Sequence, residues 1–149
     1  METKGQDALA ILKLYELRGE PLMREARRWF FSEFAPQSGK DVVRLLLSGE
    51  KQSAYYRMVA SHWDVAAALV LGGGIDEKLF LESNSEHVVV FAKLQPLLAE
   101  IRETIGEPDY LIHLEQLVMK IPNIEKKLEN RRSLLARWTQ PKASAAEQS

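Results

Sequence analysis

The residues able to do chemistry gather in two short stretches. Arg57, His62 and Asp64 lie between Gln52 and Leu71, and Asn84 and His87 follow beyond a run of three glycines. A guanidinium, two imidazoles and a carboxylate can hold a small ligand, or move protons if a substrate sits within hydrogen-bond reach. The familiar catalytic and metal patterns are nevertheless missing. Ser61, His62 and Asp64 are near neighbours on one helix, where consecutive side chains diverge by about 100°, so they form no relay among themselves. A di-iron bundle needs Glu-x-x-His on facing helices, but the residues three before His62, His87 and His113 are Val59, Asn84 and Tyr110. His-Glu-x-x-His and Gly-x-Ser-x-Gly are absent. Gly39-Lys40 is followed by Asp41, and Phe34 stands where a phosphate loop has its first glycine. There is no cysteine, which removes thiolate ligands, disulfides and cysteine nucleophiles together. No residue is assigned a catalytic role, and no metal or cofactor is implied.

Two readings of the five polar residues remain. Arg57 and Asp64 share one polar line two turns apart, roughly 10 Å, and could flank a ligand. Asn84 and His87 occupy positions where a helical seam calls for apolar residues, so they either fix helix register or line a pocket. Satisfied polar groups are common in helical cores, and that reading outweighs the ligand reading. Asp64 can equally cap or pair with a neighbouring helix.

The helices that carry these residues are legible from period and caps. Gln52 to Leu71 is a helix with two apolar stripes, Tyr56-Val59-Trp63-Ala66-Val70 and Tyr55-Met58-His62-Val65-Leu69. An ordinary surface helix has one, so this helix is expected to be the most buried. Gly72-Gly73-Gly74 closes it with a left-handed cap, and Asp76 caps the next short helix. Upstream, Asp7 caps a helix over Ala8 to Arg18. Pro21 opens a second helix with Leu22, Met23, Ala26, Trp29, Phe30 and Phe34 inward and Arg24, Arg27 and Arg28 outward. Ser38 and Asp41 form a capping box for Gly39 to Leu47.

Downstream, Ser83-Asn84-Ser85 marks a break or fresh cap. Phe80, Asn84, His87, Phe91, Leu94, Leu98, Ile101 and Ile105 then alternate spacings of four and three, and the phase survives Pro96. After Gly106-Glu107-Pro108, a second series runs from Tyr110 to Trp138 through Leu114, Leu117, Ile121, Ile124, Leu128, Arg131 and Leu135. Pro122 either kinks one helix or begins a second that stays nearly collinear; the unbroken phase favours one continuous helix, about 43 Å long at 1.5 Å per residue. The two long segments predict an antiparallel hairpin. The reading is a single all-α domain over residues 1–139, a bundle of five or six helices, with a disordered tail over 140–149 rich in Pro, Ala, Ser, Glu and Gln.

With 149 residues and 46% hydrophobic composition, the chain can bury a core of ordinary size. The net charge of −1 gives no field to draw in nucleic acid or anionic lipid. Two basic clusters exist, Arg18-Arg24-Arg27-Arg28 and Lys126-Lys127-Arg131-Arg132-Arg137. Thin aromatic interleaving makes a solvated face the better reading of both, so neither nucleic acid nor a membrane is an expected partner. The apolar run Val65 to Leu71 is far short of the roughly 20 residues of a membrane span, and the start of the chain lacks a signal-peptide core. These features point to a soluble cytoplasmic protein of bacterial type.

A C-terminal helix that outruns its neighbours would expose Leu128, Leu135 and Trp138, and exposed stripes of this kind meet partners. Self-association about a two-fold axis is the commonest outcome. The leading expectation is therefore a non-enzymatic interaction or regulatory module acting as a homodimer. The alternative is a small-ligand or metal-binding helical protein, an enzyme among its forms, with a polar site of Arg57, His62, Asp64, Asn84 and His87 between the central helix and the helix after Asn84.

His62-Trp63-Asp64, Gly74-Ile75-Asp76-Glu77-Lys78-Leu79-Phe80, Lys93-Leu94-Gln95-Pro96 and Ile101-Arg102 together resemble a bacterial family of unknown function, DUF4760. Its pattern is a helix with an acidic residue in mid-length, then Gly-Ile-Asp-Glu, then a helix with Lys-x-x-Pro and an Ile-Arg pair. Asp64, Pro96 and Arg102 match those positions over the middle third of the chain. Many members carry membrane segments, which this sequence lacks. The resemblance implies an all-α fold, assigns no activity, and singles out Asp64 and Arg102.

Overall fold

The computed structural model describes residues 3–139; the tail expected over 140–149 lies outside the described residues. Among them are eight helices and no strand: α1 (Thr3–Arg18), α2 (Pro21–Ser32), α3 (Gly39–Leu47), α4 (Lys51–Leu71), α5 (Glu77–Ser83), α6 (Glu86–Ile105), α7 (Ile112–Met119) and α8 (Ile124–Trp138). The fold is all-α.

Most boundaries follow from local chemistry. Pro21 sits in the first turn of α2. The Ser38 hydroxyl accepts from the Asp41 N–H at 3.2 Å, and the Asp41 carboxylate accepts in return from Gln37 N–H at 2.9 Å, a capping box shifted by one residue. Asp76 caps α5 by accepting from Leu79 N–H at 2.9 Å. The triple glycine closes α4 by paired bonds, Gly74 N–H to the Leu69 carbonyl and Gly73 N–H to Val70. Gly73 has φ +85°, the left-handed position this motif requires. Gly106, at φ +72°, does the same for α6.

Four expectations are corrected. Asp7 is buried inside α1 (Thr3–Arg18), so it is not a cap. On α4 the stripe of Tyr56, Val59, Trp63, Ala66 and Val70 is buried, but Val65 and Leu69 of the second stripe are exposed. Ala60 and Ala67 are buried on the other side instead, because small residues let neighbouring helices approach there. Leu22 is exposed. Finally, the helix does not continue across Pro122. Proline lacks an N–H and clashes with the carbonyl four residues back, so α7 ends at Met119 and Asn123 turns the chain at φ +57°, a conformation asparagine tolerates. The apolar phase survives because the turn still delivers Leu117, Ile124 and Leu128 to the core.

α4 packs against α2, α3 and α7; α6 packs against α3, α7 and α8. Helices α3 and α7 therefore join two centres into one core. The seam of α5 and α6 is buried from Phe80 through Ile101, Asn84 and His87 included. Around Phe30 an aromatic group forms: Trp29 stacks on Phe34 at 4.8 Å, and Phe34 meets Tyr56 edge-on at 5.6 Å. No helix among the described residues is long and apolar enough to cross a membrane.

Candidate functional site

The polar centre of the molecule is Glu86, in the first turn of α6, where a carboxylate is favoured by the helix dipole. Arg27 of α2 donates to it from Nε at 3.1 Å to both oxygens and from Nη2 at 2.6 Å to Oε1. The indole Nε1–H of the fully buried Trp63 donates to Oε2 at 2.9 Å. Arg18 of α1 adds a longer ion pair at 3.9 Å and lies over the Trp63 ring. One carboxylate thus ties α1, α2 and α4 to α6. The Glu86 side chain is 13% exposed, so these bonds act in a medium of low dielectric, where charge-assisted hydrogen bonds are strongest. Arg27 was expected to face outward. It turns inward because Glu86 is the only carboxylate it reaches among the described residues.

His62 and His87 flank this cluster. The His62 ring meets Trp63 edge-on at 4.7 Å, and His87 packs against Phe80 at 5.1 Å and Trp63 at 5.8 Å. Burial lowers the pKa of each to about 4, against a smaller opposing pull from Glu86, so both rings are neutral at pH 7. His62 Nε2 and both nitrogens of His87 are buried without a hydrogen-bond partner. Asn84 closes α5: its backbone N–H and its Nδ2 both donate to the Phe80 carbonyl, at 2.9 and 3.2 Å.

Asp64 is elsewhere. Its Oδ1 accepts from the Leu114 N–H at 2.9 Å, so a side chain of α4 caps α7, whose own N-cap position holds Leu111 at φ +57°. His113 stands 3.7 Å from the other oxygen. Next to it, the Tyr56 and Tyr110 hydroxyls share a 2.8 Å bond, and Arg102 donates to the Tyr110 carbonyl at 2.9 Å and pairs with Glu115 at 3.0 Å. Arg57 is exposed. The five polar residues therefore do not converge: His62 and His87 flank Glu86, Asn84 adjoins them, Asp64 is a capping residue, and Arg57 stands apart.

The space between α4 and α6 is filled where Trp63, Phe80 and His87 meet. An opening lies beyond His87 instead. The α5–α6 junction faces α8 across a cleft of about 470 Å³, lined in part by Asn84, His87, Asn130, Lys127 and Arg131. No group of three or more His, Asp or Glu side chains placed to hold a metal occurs among the described residues.

The expected exposed stripe is corrected too. Leu128 and Leu135 are buried against the core and only Trp138 is exposed, because α8 lies along α6 rather than projecting past it. Trp138 borders a groove with Arg24, Arg27 and Arg28.

Sequence reading missed Glu86, Arg18, Arg27 and Lys93. The Lys93 ammonium is half-buried, donates to the Phe30 carbonyl at 2.6 Å, and lies over the Phe30 and Phe34 rings; burial lowers its pKa to about 8. An acidic residue directly after the Ser85 cap and before a seam histidine was the available signal for Glu86. Nothing in the spacing of Arg18 and Arg27 marked them as its partners.

The model of a family described as a domain of unknown function, DUF4760, matches residues 4–121. That span takes in most of the chain, from α1 through α7, and is not confined to the middle third that carries the resemblance in sequence. No curated protein and no solved structure matches the chain.

Proposed function

The chain belongs to the DUF4760 family, and on that premise we propose that it is a non-enzymatic interaction module that works as a homodimer through the outward face of α1. The observation that carries this reading is a row of large apolar side chains in water: Leu9 is 67% exposed, Leu12 61% and Tyr15 68%. The same helix buries Leu14 on its opposite side. A helix apolar on both faces calls for cover on both, and α2 supplies only one.

A second copy is the partner proposed. Lys13 and Glu16 sit beside Leu12 as an exposed, opposite-charge pair at 3.8 Å. An isologous contact presents each charge to its opposite on the other protomer. This surface replaces the one expected from Leu128 and Leu135, which the core already uses. The reading as a non-enzyme rests on the polar groups themselves. Glu86 and Asp64 are each engaged by neighbours that hold the fold, and neither shares a site with a free nucleophile. A cysteine-free chain without a membrane-spanning helix among its described residues fits action in the cytoplasm.

The test is the mass in solution, by light scattering over a concentration series, of the wild type and of Leu12→Asp plus Tyr15→Asp. The proposal expects a dimer that becomes a monomer with unchanged helicity. A wild type that is monomeric throughout, or a variant that still dimerises, overturns it.

A further inference from the structure

The cleft between the α5–α6 junction and α8 combines features that the dimer reading leaves unused. One wall is the start of α6. Its N-cap Ser85 makes no side-chain cap bond, so the first N–H groups of a 20-residue helix and the positive end of its dipole lie at this wall, while the Glu86 carboxylate of the same turn is held by Arg27 and Trp63. Ser85 and His87 both line the cleft. His87 is 1% exposed, and neither of its ring nitrogens has a partner. Buried polar atoms of this kind are rare in native folds and ask for an explanation.

The opposite wall is α8. Lys127 and Arg131, one turn apart, line the cleft, and neither forms an ion pair among the described residues. No carboxylate lines it. Asn130 adds an amide between the two cations, while Leu81, Val88 and Leu134 give an apolar side. The volume of about 470 Å³ falls in the range of small-molecule sites, where a few polar groups orient a ligand held mainly by apolar contact.

We propose that this cleft binds a small amphipathic organic anion, its carboxylate or phosphate head at the start of α6 between Lys127 and Arg131 and its apolar part against Leu81, Val88 and Leu134. Helix N-termini bind oxyanions through their free N–H groups, and the two cations supply charge-assisted bonds. The His87 imidazole, neutral and within the same wall, offers one donor or acceptor to the ligand.

The experiment is calorimetric titration of the full chain with decanoate and with decyl phosphate, with decanol and inorganic phosphate as tail-only and head-only probes. The proposal expects saturable binding of at least one of the two amphipathic anions. Each isolated part should bind at least about tenfold more weakly, a loss of 1.4 kcal/mol. Lys127→Ala plus Arg131→Ala should weaken the anion by a further tenfold or more at an unchanged urea midpoint. His87→Phe, which keeps the ring and removes its nitrogens, should weaken it less. Absence of saturable binding, equal binding of decanol, or undiminished binding to the double variant overturns the proposal.

Discussion

Two clusters of cations look alike in the sequence and behave differently in the fold. Arg18 and Arg27, on α1 and α2, converge on Glu86, and Arg27 alone makes three contacts of 2.6–3.1 Å to its carboxylate. On α8, Arg132 is tied to the Ala92 carbonyl and the Gln95 amide oxygen, both at 3.2 Å, while Lys127 and Arg131 line a cleft that no carboxylate borders. Two members of the first cluster are an internal fastening. The second leaves charge over for something outside the fold. What separates them is one acidic residue at the start of α6, far from either cluster in sequence. Charge density along a chain therefore does not reveal whether a cation is engaged; the packing of distant helices decides it.

Breaking the fastened side should have the largest effect. Glu86→Ala leaves two partly buried guanidinium groups and the Trp63 N–H without their acceptor, and removal of one member of a buried pair costs about 3–5 kcal/mol. Urea unfolding should show that loss, and a change below about 1 kcal/mol would mean that the cluster is mere decoration. Next comes the base of the open side. Leu128 is fully buried on the α8 that carries Lys127 and Arg131; Leu128→Ala should cost about 2–5 kcal/mol, whereas an interface leucine would shift the dimer equilibrium and spare the fold.

A third test sharpens the boundary between the regions, where His87 sits. Its folded pKa of about 4 lies below the ordinary 6.5, so the unfolded chain binds the extra proton as pH falls. Stability from this group is present above pH 6.5 and is lost toward pH 4. Between pH 7 and pH 5 the loss is about 2 kcal/mol, read as a falling urea midpoint that His87→Phe should flatten. His62 adds a change of the same sign. The smallest effect is expected on the open side itself: Lys127→Ala or Arg131→Ala should leave stability within about 0.5 kcal/mol of wild type.

Local rules carried the sequence reading far. Ser38, Pro21, Asp76 and the triple glycine mark helix ends by chemistry confined to a few residues, and each end is found where that chemistry puts it. The seam from Phe80 to Ile101 was legible for the same reason, and its two polar members are buried as its phase requires. Asp64 was recognised as a residue able to cap another helix, though not which one. The readings that failed depend on distance. Periodicity could not tell that Val65 and Leu69 stay exposed, since nothing in α4 says where α2 and α7 stop covering it. Nor could it decide between one kinked helix and two helices at Pro122, because a short turn preserves phase as well as a continuous helix does. The convergence of Arg18, Arg27 and Trp63 on Glu86 left no local trace beyond the acidic residue that follows the Ser85 cap.

The central claim is that Arg18 and Arg27 are part of the fold while Lys127 and Arg131, which face the cleft, are not. The direct test is urea denaturation, side by side, of Arg18→Gln plus Arg27→Gln and of Lys127→Gln plus Arg131→Gln. The account predicts that the first pair loses about 3 kcal/mol or more, because Glu86 is left buried without a counter-charge, and that the second stays within about 0.5 kcal/mol of wild type. Equal losses in the two double variants would contradict it.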